Sequence, residues 1–245
     1  MRKDIPQINE ILSKRIKIVR RDIGDLLFHF TRTPDKDMSI QVGYEAKSAL
    51  DVLKKILEEG RLLGSSKWIK DKSKYICFTE APIHEFAAVF SLVKMAADKK
   101  ERPRYEPYGV AVKKEWFYNK GGRPVIYDSE ELYEKLPEDL KYRYVPFNPQ
   151  KGIDCTWERE WRIRCDELLL DPKNTLIVVP DAETAFDIAY TYSKEYLSDD
   201  TTTDTSTYEG EMGQKESQAE AQLQVLIRKP TWMTVSLDLF DIKVE

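Results

Sequence analysis

Three short segments set polar residues inside otherwise apolar runs: Phe28-His29-Phe30-Thr31, Tyr75-Ile76-Cys77-Phe78-Thr79-Glu80-Ala81-Pro82 and Trp157-Glu158-Arg159-Glu160-Trp161-Arg162-Ile163. Burying a polar group without a partner costs about 1–3 kcal/mol, so each of these residues needs an internal partner or a ligand. In the third segment, strand alternation puts Glu158, Glu160, Arg162 and Arg164 on one face, with Trp157, Trp161 and Ile163 on the other as anchors in the core. Two carboxylates on one face repel each other. They persist where arginines neutralise them or where a ligand uses them. A carboxylate held in this way stabilises a developing positive charge, as in cleavage of a glycosidic bond. With Glu80 added, the same glutamates offer three carboxylates to a divalent cation such as Mg²⁺, the chemistry of a nuclease.

Each segment also has a plainer reading by itself. A Glu/Arg strand face is equally a solvated, cross-strand-paired surface. His29 alone reads as a satisfied core or rim histidine, Phe78-Thr79-Glu80 as the end of a buried strand, and Cys77 as a small core hydrophobe.

The elements that must position these residues follow from periodicity. Ile8, Ile11, Leu12, Ile16 and Val19 predict an amphipathic helix over 6–21, with Gly24 beyond its end. Leu26–Thr31 and Tyr75–Thr79 read as strands. A helix is expected over 46–59, with Leu50, Leu53, Ile56 and Leu57 as its buried stripe and Gly60 as its stop. Another is expected over about 84–98. Strand-like pieces follow at Tyr108–Val112, Pro124–Tyr127, Tyr142–Pro146, Trp157–Arg164 and Thr175–Val179. A helix near 181–195 is expected to turn Phe186, Ala189 and Tyr190 inward. Residues 198–220 are acidic, polar and nearly free of large apolar groups, which predicts a flexible insertion before two further strands. The expected fold is α+β: one domain over 1–245, with a mixed or antiparallel sheet and flanking helices.

Composition narrows the function classes. Of 245 residues, 41% are hydrophobic and 33% charged, which provides a core and a well-solvated surface. No apolar run reaches the roughly 18 residues of a membrane span, and the N-terminus has no apolar signal region, so a cytoplasmic protein is expected. Three cysteines without a CxxC, and only two histidines, argue against a disulfide framework or a zinc site. The net charge of −4 disfavours generic binding to nucleic-acid phosphate. Residues 1–22 nevertheless carry seven basic side chains against three acidic ones.

Taken in order, the segments give His-x-Thr on an early strand, a helix ending Ile56-Leu57-Glu58-Glu59-Gly60, an aromatic-Thr pair, and Glu-x-Glu on a late strand. This order resembles the ADP-ribosyltransferase arrangement of histidine, aromatic and glutamate. More narrowly, Cys77-Phe78-Thr79-Glu80-Ala81-Pro82 and Glu158-x-Glu160-Trp161-Arg162 are similar to bacterial abortive-infection proteins, with DNA-modifying ADP-ribosyltransferase toxins a more distant likeness. The resemblance covers about residues 26–180 as ordered short motifs. It implies a split-sheet fold, NAD as substrate, and action as a toxin or anti-phage effector with an antitoxin or another defence protein as partner.

The resemblance also implies roles. Glu160 carries the catalytic charge and Glu158 positions the acceptor. His29 and Thr31 hold a ribose hydroxyl and the nicotinamide amide. Tyr75, Phe78 and Thr79 bind NAD, with an aromatic ring stacked on the nicotinamide, and Arg162 binds the pyrophosphate. The gap between His29 and the helix ending at Gly60 is longer than in the DNA-modifying group, so the target loops differ. The acceptor stays open among DNA, RNA, protein and a small molecule; the basic N-terminal helix, with Trp116, Phe117 and Tyr118, points toward nucleic acid, against the plainer reading of a solvated lid over the core with the aromatics buried. The alternative is a catalytically silent antitoxin or sensor on the same scaffold.

Overall fold

The computed structural model describes residues 24–34, 47–66, 73–86, 89–90, 105–200 and 223–240. The expected helix over 6–21, much of the one over 84–98 and most of the acidic insertion lie outside those residues.

Among the described residues, a seven-stranded sheet forms the centre. Its strands are β1 (Leu26–Phe30), β3 (Tyr75–Thr79), β4 (Gly109–Lys113), β5 (Arg123–Pro124), β8 (Glu160–Arg164), β10 (Thr175–Val179) and β13 (Met233–Ser236). Their order is β13-β10-β4-β1-β3-β8-β5. Every pairing in it is antiparallel except β10 with β13, which is parallel. Small two-stranded sheets join β2 (Arg61–Leu63) to β9 (Glu167–Leu169), and β6 (Ile126–Asp128) to β7 (Tyr144–Pro146). The protein is therefore α+β with a mostly antiparallel sheet. None of the described helices is long and apolar enough to cross a membrane.

The alternating side chains sort into two cores, one on each face of the sheet. Leu27, Ile76, Phe78, Val110, Val112, Ile163 and Ile177 pack on one face against helix α1 (Ala49–Glu59). Phe30, Ala81, Phe86, Phe90, Ala111 and Val178 pack on the other. Helix α1 begins on a capping box between Ser48 and Asp51 and ends at Gly60, whose φ of 64° is the left-handed stop read from the sequence. Gly109 has a different reason: a Cβ there would come within 2.4 Å of the His29 carbonyl oxygen, so only glycine lets β4 approach β1 behind the histidine.

Two expectations need correcting. In helix α4 (Ala182–Thr191), Ile188 is the buried residue and Ala185 packs beside it, while Phe186 and Tyr190 are 73% and 59% exposed. The aromatic pair, four residues apart, shares the outer face and stacks on itself at 6.5 Å. The side chain of Arg228 covers Tyr190. Residues 198–200, expected inside the flexible insertion, are instead the end of a strand. Ser193–Asp200 is a strand, β11, paired antiparallel with β12 (Leu223–Pro230) through eight registered pairs.

Candidate functional site

Strands β1 and β3 are registered at one pair, Phe28 opposite Thr79. Beside it a side chain takes over the ladder: His29 Nδ1 lies 2.7 Å from the carbonyl oxygen of Cys77. A carbonyl only accepts, so Nδ1 carries the proton and Nε2 keeps a lone pair. Burial holds the imidazole below its ordinary pKa, and the bond to Cys77 offsets this in part, so His29 is neutral near pH 7.

The end of β3 clamps the start of β8. The Thr79 hydroxyl donates to the carbonyl of Glu158 and accepts from the Ala81 N–H at 3.0 Å. The Glu80 N–H donates to the Arg159 carbonyl at 3.2 Å. Glu158 closes a 3-10 turn (Thr156–Glu158), and Arg159 follows with a φ of 44°, the only described non-glycine residue with positive φ. This corrects the reading of one continuous strand from Trp157. The left-handed step brings Glu158 and Glu160 to the same cleft by a turn rather than by alternation, and Trp157 is left 43% exposed instead of anchoring the core.

Glu160 stands opposite Thr79 and Arg162 opposite Cys77. The Glu160 N–H donates to the Tyr127 hydroxyl at 2.9 Å. Burial, with the charges of Glu160 and Glu158 adding, pushes the Tyr127 phenol up to about 12. The Glu160 carboxylate receives Arg162 Nε at 2.7 Å and Nη2 at 3.1 Å in a forked pair. Arg162 Nη1 donates to the carbonyls of Tyr142 and Tyr144 at 2.9 and 3.0 Å, and the guanidinium lies 4.8 Å from the Tyr75 ring. Burial alone would lower the Arg162 pKa; the Glu160 carboxylate outweighs it and holds the guanidinium above its ordinary range. Cys77 sits between these charges, and burial, reinforced by Glu160, pushes its thiol well above the ordinary value. It is a neutral thiol on the wall of the cleft, half-buried rather than a core hydrophobe.

These residues surround a cleft of about 550 Å³, within the ~300–1,000 Å³ range of ligand clefts. Of the residues singled out from the sequence, His29, Tyr75, Phe78, Thr79, Glu158, Glu160 and Arg162 all line it. Glu158 is 3% exposed at its floor.

No protein-family model, curated protein or solved structure matches the chain.

Several roles expected from the sequence change in the fold. Thr31 does not line the cleft: it is buried, with its hydroxyl 2.9 Å from the carbonyls of Ala49 and Tyr108, where it ties α1 to the approach of β4. Phe78 is 2% exposed and packs on Phe117 at 4.6 Å, so it forms the floor rather than a stacking platform. Thr79 acts as the clamp. Arg162 spends four of its five N–H groups on Glu160, Tyr142 and Tyr144, which leaves little for a pyrophosphate. Glu80 turns to another partner set, Lys114 and Trp161, and does not join Glu158 and Glu160 as the nuclease reading requires. Phe117 is fully buried, while Tyr118 is half exposed with Arg123 stacked 3.9 Å from its ring.

Three contributors escaped the sequence reading. Arg32 lies two residues beyond β1 and lines the cleft; its signal was a cation directly after His-x-Thr. Tyr105 also lines the cleft, edge-on to Phe86 and to Trp157. Tyr127 reaches Glu160 from the β6–β7 pair, a long-range contact with no local signature.

Proposed function

We propose that the cleft binds NAD and that the protein is a cytoplasmic ADP-ribosyltransferase, with the split-sheet architecture the motif order implies. One observation carries the reading. A neutral histidine fixed in the gap between β1 and β3 faces the same cleft as a carboxylate pair at the start of β8. Cleavage of the nicotinamide–ribose bond needs an anion beside a developing oxocarbenium and no general acid, because nicotinamide departs from its pyridinium form as a neutral molecule. Glu160, oriented by Arg162, supplies that anion. A carboxylate has about four acceptor sites, and Arg162 takes two, so a ribose hydroxyl still has a partner on Glu160. His29 Nε2 accepts from a ribose hydroxyl. Glu158, on the neighbouring turn, orients the incoming nucleophile. Tyr105 offers an aromatic face for nicotinamide and Arg32 the cation for pyrophosphate, while the Tyr75 ring is already taken by Arg162. NAD is the substrate, and the acceptor is a macromolecule.

The test is incubation with NAD labelled in the adenylate, first alone and then with cell lysate. Nicotinamide release, and label passing to one macromolecular fraction, support the reading.

A second reading rests on the same ion pair. The fork that orients Glu160 also neutralises it, as suits a silent NAD-binding sensor or antitoxin on this scaffold. That protein binds NAD and returns it intact.

A further inference from the structure

Glu160 lies between two residues that are both held by Glu80. On one side, the Glu80 main-chain N–H donates to the Arg159 carbonyl at 3.2 Å. On the other, the Trp161 indole Nε1–H donates to Glu80 Oε2 at 2.8 Å. The remaining carboxylate oxygen, Oε1, takes the ammonium of Lys114. Lys114 opens helix α2 (Lys114–Asn119), is itself fixed by its N–H to the Asp25 carbonyl at 2.8 Å, and lies 5.9 Å from the Trp161 ring. Both partners of the ion pair are 16% exposed. Trp161 points to the opposite side of β8 from Glu160, so the indole acts as a lever on the strand.

We propose that Glu80 is a positioning residue for Glu160. Its backbone fixes the left-handed step at Arg159, its carboxylate fixes the rotation of β8 at Trp161, and the residue between has one orientation into the cleft. A carboxylate suits the task because it accepts from the indole and the ammonium at once. The lysine leaves it without an uncompensated buried charge. Glu80 thus holds the chain on both sides of Glu160, at Arg159 and at Trp161. In kinetic terms the inference rests on Glu160 as the charge-bearing group; in structural terms it does not.

The test uses the full chain and the variants Glu80→Ala, Glu80→Gln and Lys114→Met. NMR reads the Trp161 indole N–H and the hydrogen exchange of Arg162 Nε–H, which reports the Glu160 fork independently of any reaction. In Glu80→Ala, exchange at Arg162 Nε should quicken about tenfold or more, with the indole signal shifted. In Glu80→Gln, whose amide oxygen still accepts from the indole, most of the protection should return. Where NAD is cleaved, kcat should fall about tenfold or more in Glu80→Ala with KM little changed, since misplacing a reacting group acts on the chemical step. If Glu80→Ala does not fold, Lys114→Met takes its place: with Glu80 Oε1 no longer held, exchange at Arg162 Nε should quicken and the indole signal shift, while Glu80→Gln stays near the parent. A shifted indole with unchanged Arg162 exchange overturns the proposal, because Glu80 would then only pack the tryptophan. Absence of NAD turnover in the parent chain counts against the proposed function and leaves the NMR result to decide this inference.

Discussion

The imidazole of His29 bonds to the main chain of Cys77 at 2.7 Å, so a side chain stands where a strand ladder would otherwise continue. The bond fixes which ring nitrogen faces a ligand, and burial keeps the ring neutral. A pH dependence follows. The folded His29 has a lowered pKa, so the unfolded chain takes up a proton first as the pH falls. The stability contributed by a neutral His29 is fully present above about pH 6.5 and is lost as the pH drops below it. Urea denaturation at pH 7.5 and pH 5.5 should show the parent chain losing stability and His29→Gln losing less. Parallel losses in the two proteins would mean that another group titrates.

Arg162 and Glu160 are nearly buried, with side chains 12% and 11% exposed. Removing one partner of such a pair leaves a charge without compensation, at a cost of about 3–5 kcal/mol. Arg162→Met should therefore destabilise by that order. Adding Glu160→Gln should restore part of the loss. A double variant as unstable as the sum of the two single ones would show that the pair is not coupled.

Thr79 holds the Glu158 carbonyl and the Ala81 amide with one hydroxyl. Thr79→Val keeps the shape and strands both groups, for a loss of about 1–3 kcal/mol. Thr79→Ser keeps the hydroxyl and should stay within about 0.5 kcal/mol of the parent for this bond. Thermal melts of the two variants check this; equal melting temperatures would remove the clamp from the account.

The strands and their partners in the site were legible where local pattern decides them. Tyr75–Thr79 and Thr175–Val179 emerge with the bounds read from their apolar runs, and α1 with its Gly60 stop. The three segments singled out by polar residues in apolar runs do meet at one cleft. Two kinds of information were absent. Alternation assumes an unbroken strand, and a single left-handed residue, Arg159, breaks it in a way no residue type announces. Partner choice is non-local: Thr31 and Thr79 look alike in sequence, yet one ties a helix start to the approach of β4 and the other holds a turn, through carbonyls 77 and 79 residues distant. In α4 a single isoleucine, Ile188, sets the buried stripe, and the bulk of Phe186 and Tyr190 on the outer face conceals it in the sequence.

The central claim is that the cleft cleaves NAD through Glu160. It is tested most directly by incubating the purified chain with NAD and quantifying released nicotinamide by chromatography, with Glu160→Gln as control and its fold checked by circular dichroism. The account predicts release by the parent chain and a loss of about 10²–10³-fold in Glu160→Gln with the fold retained. Release at an unchanged rate from Glu160→Gln, or NAD bound and returned intact by the parent chain, would contradict it.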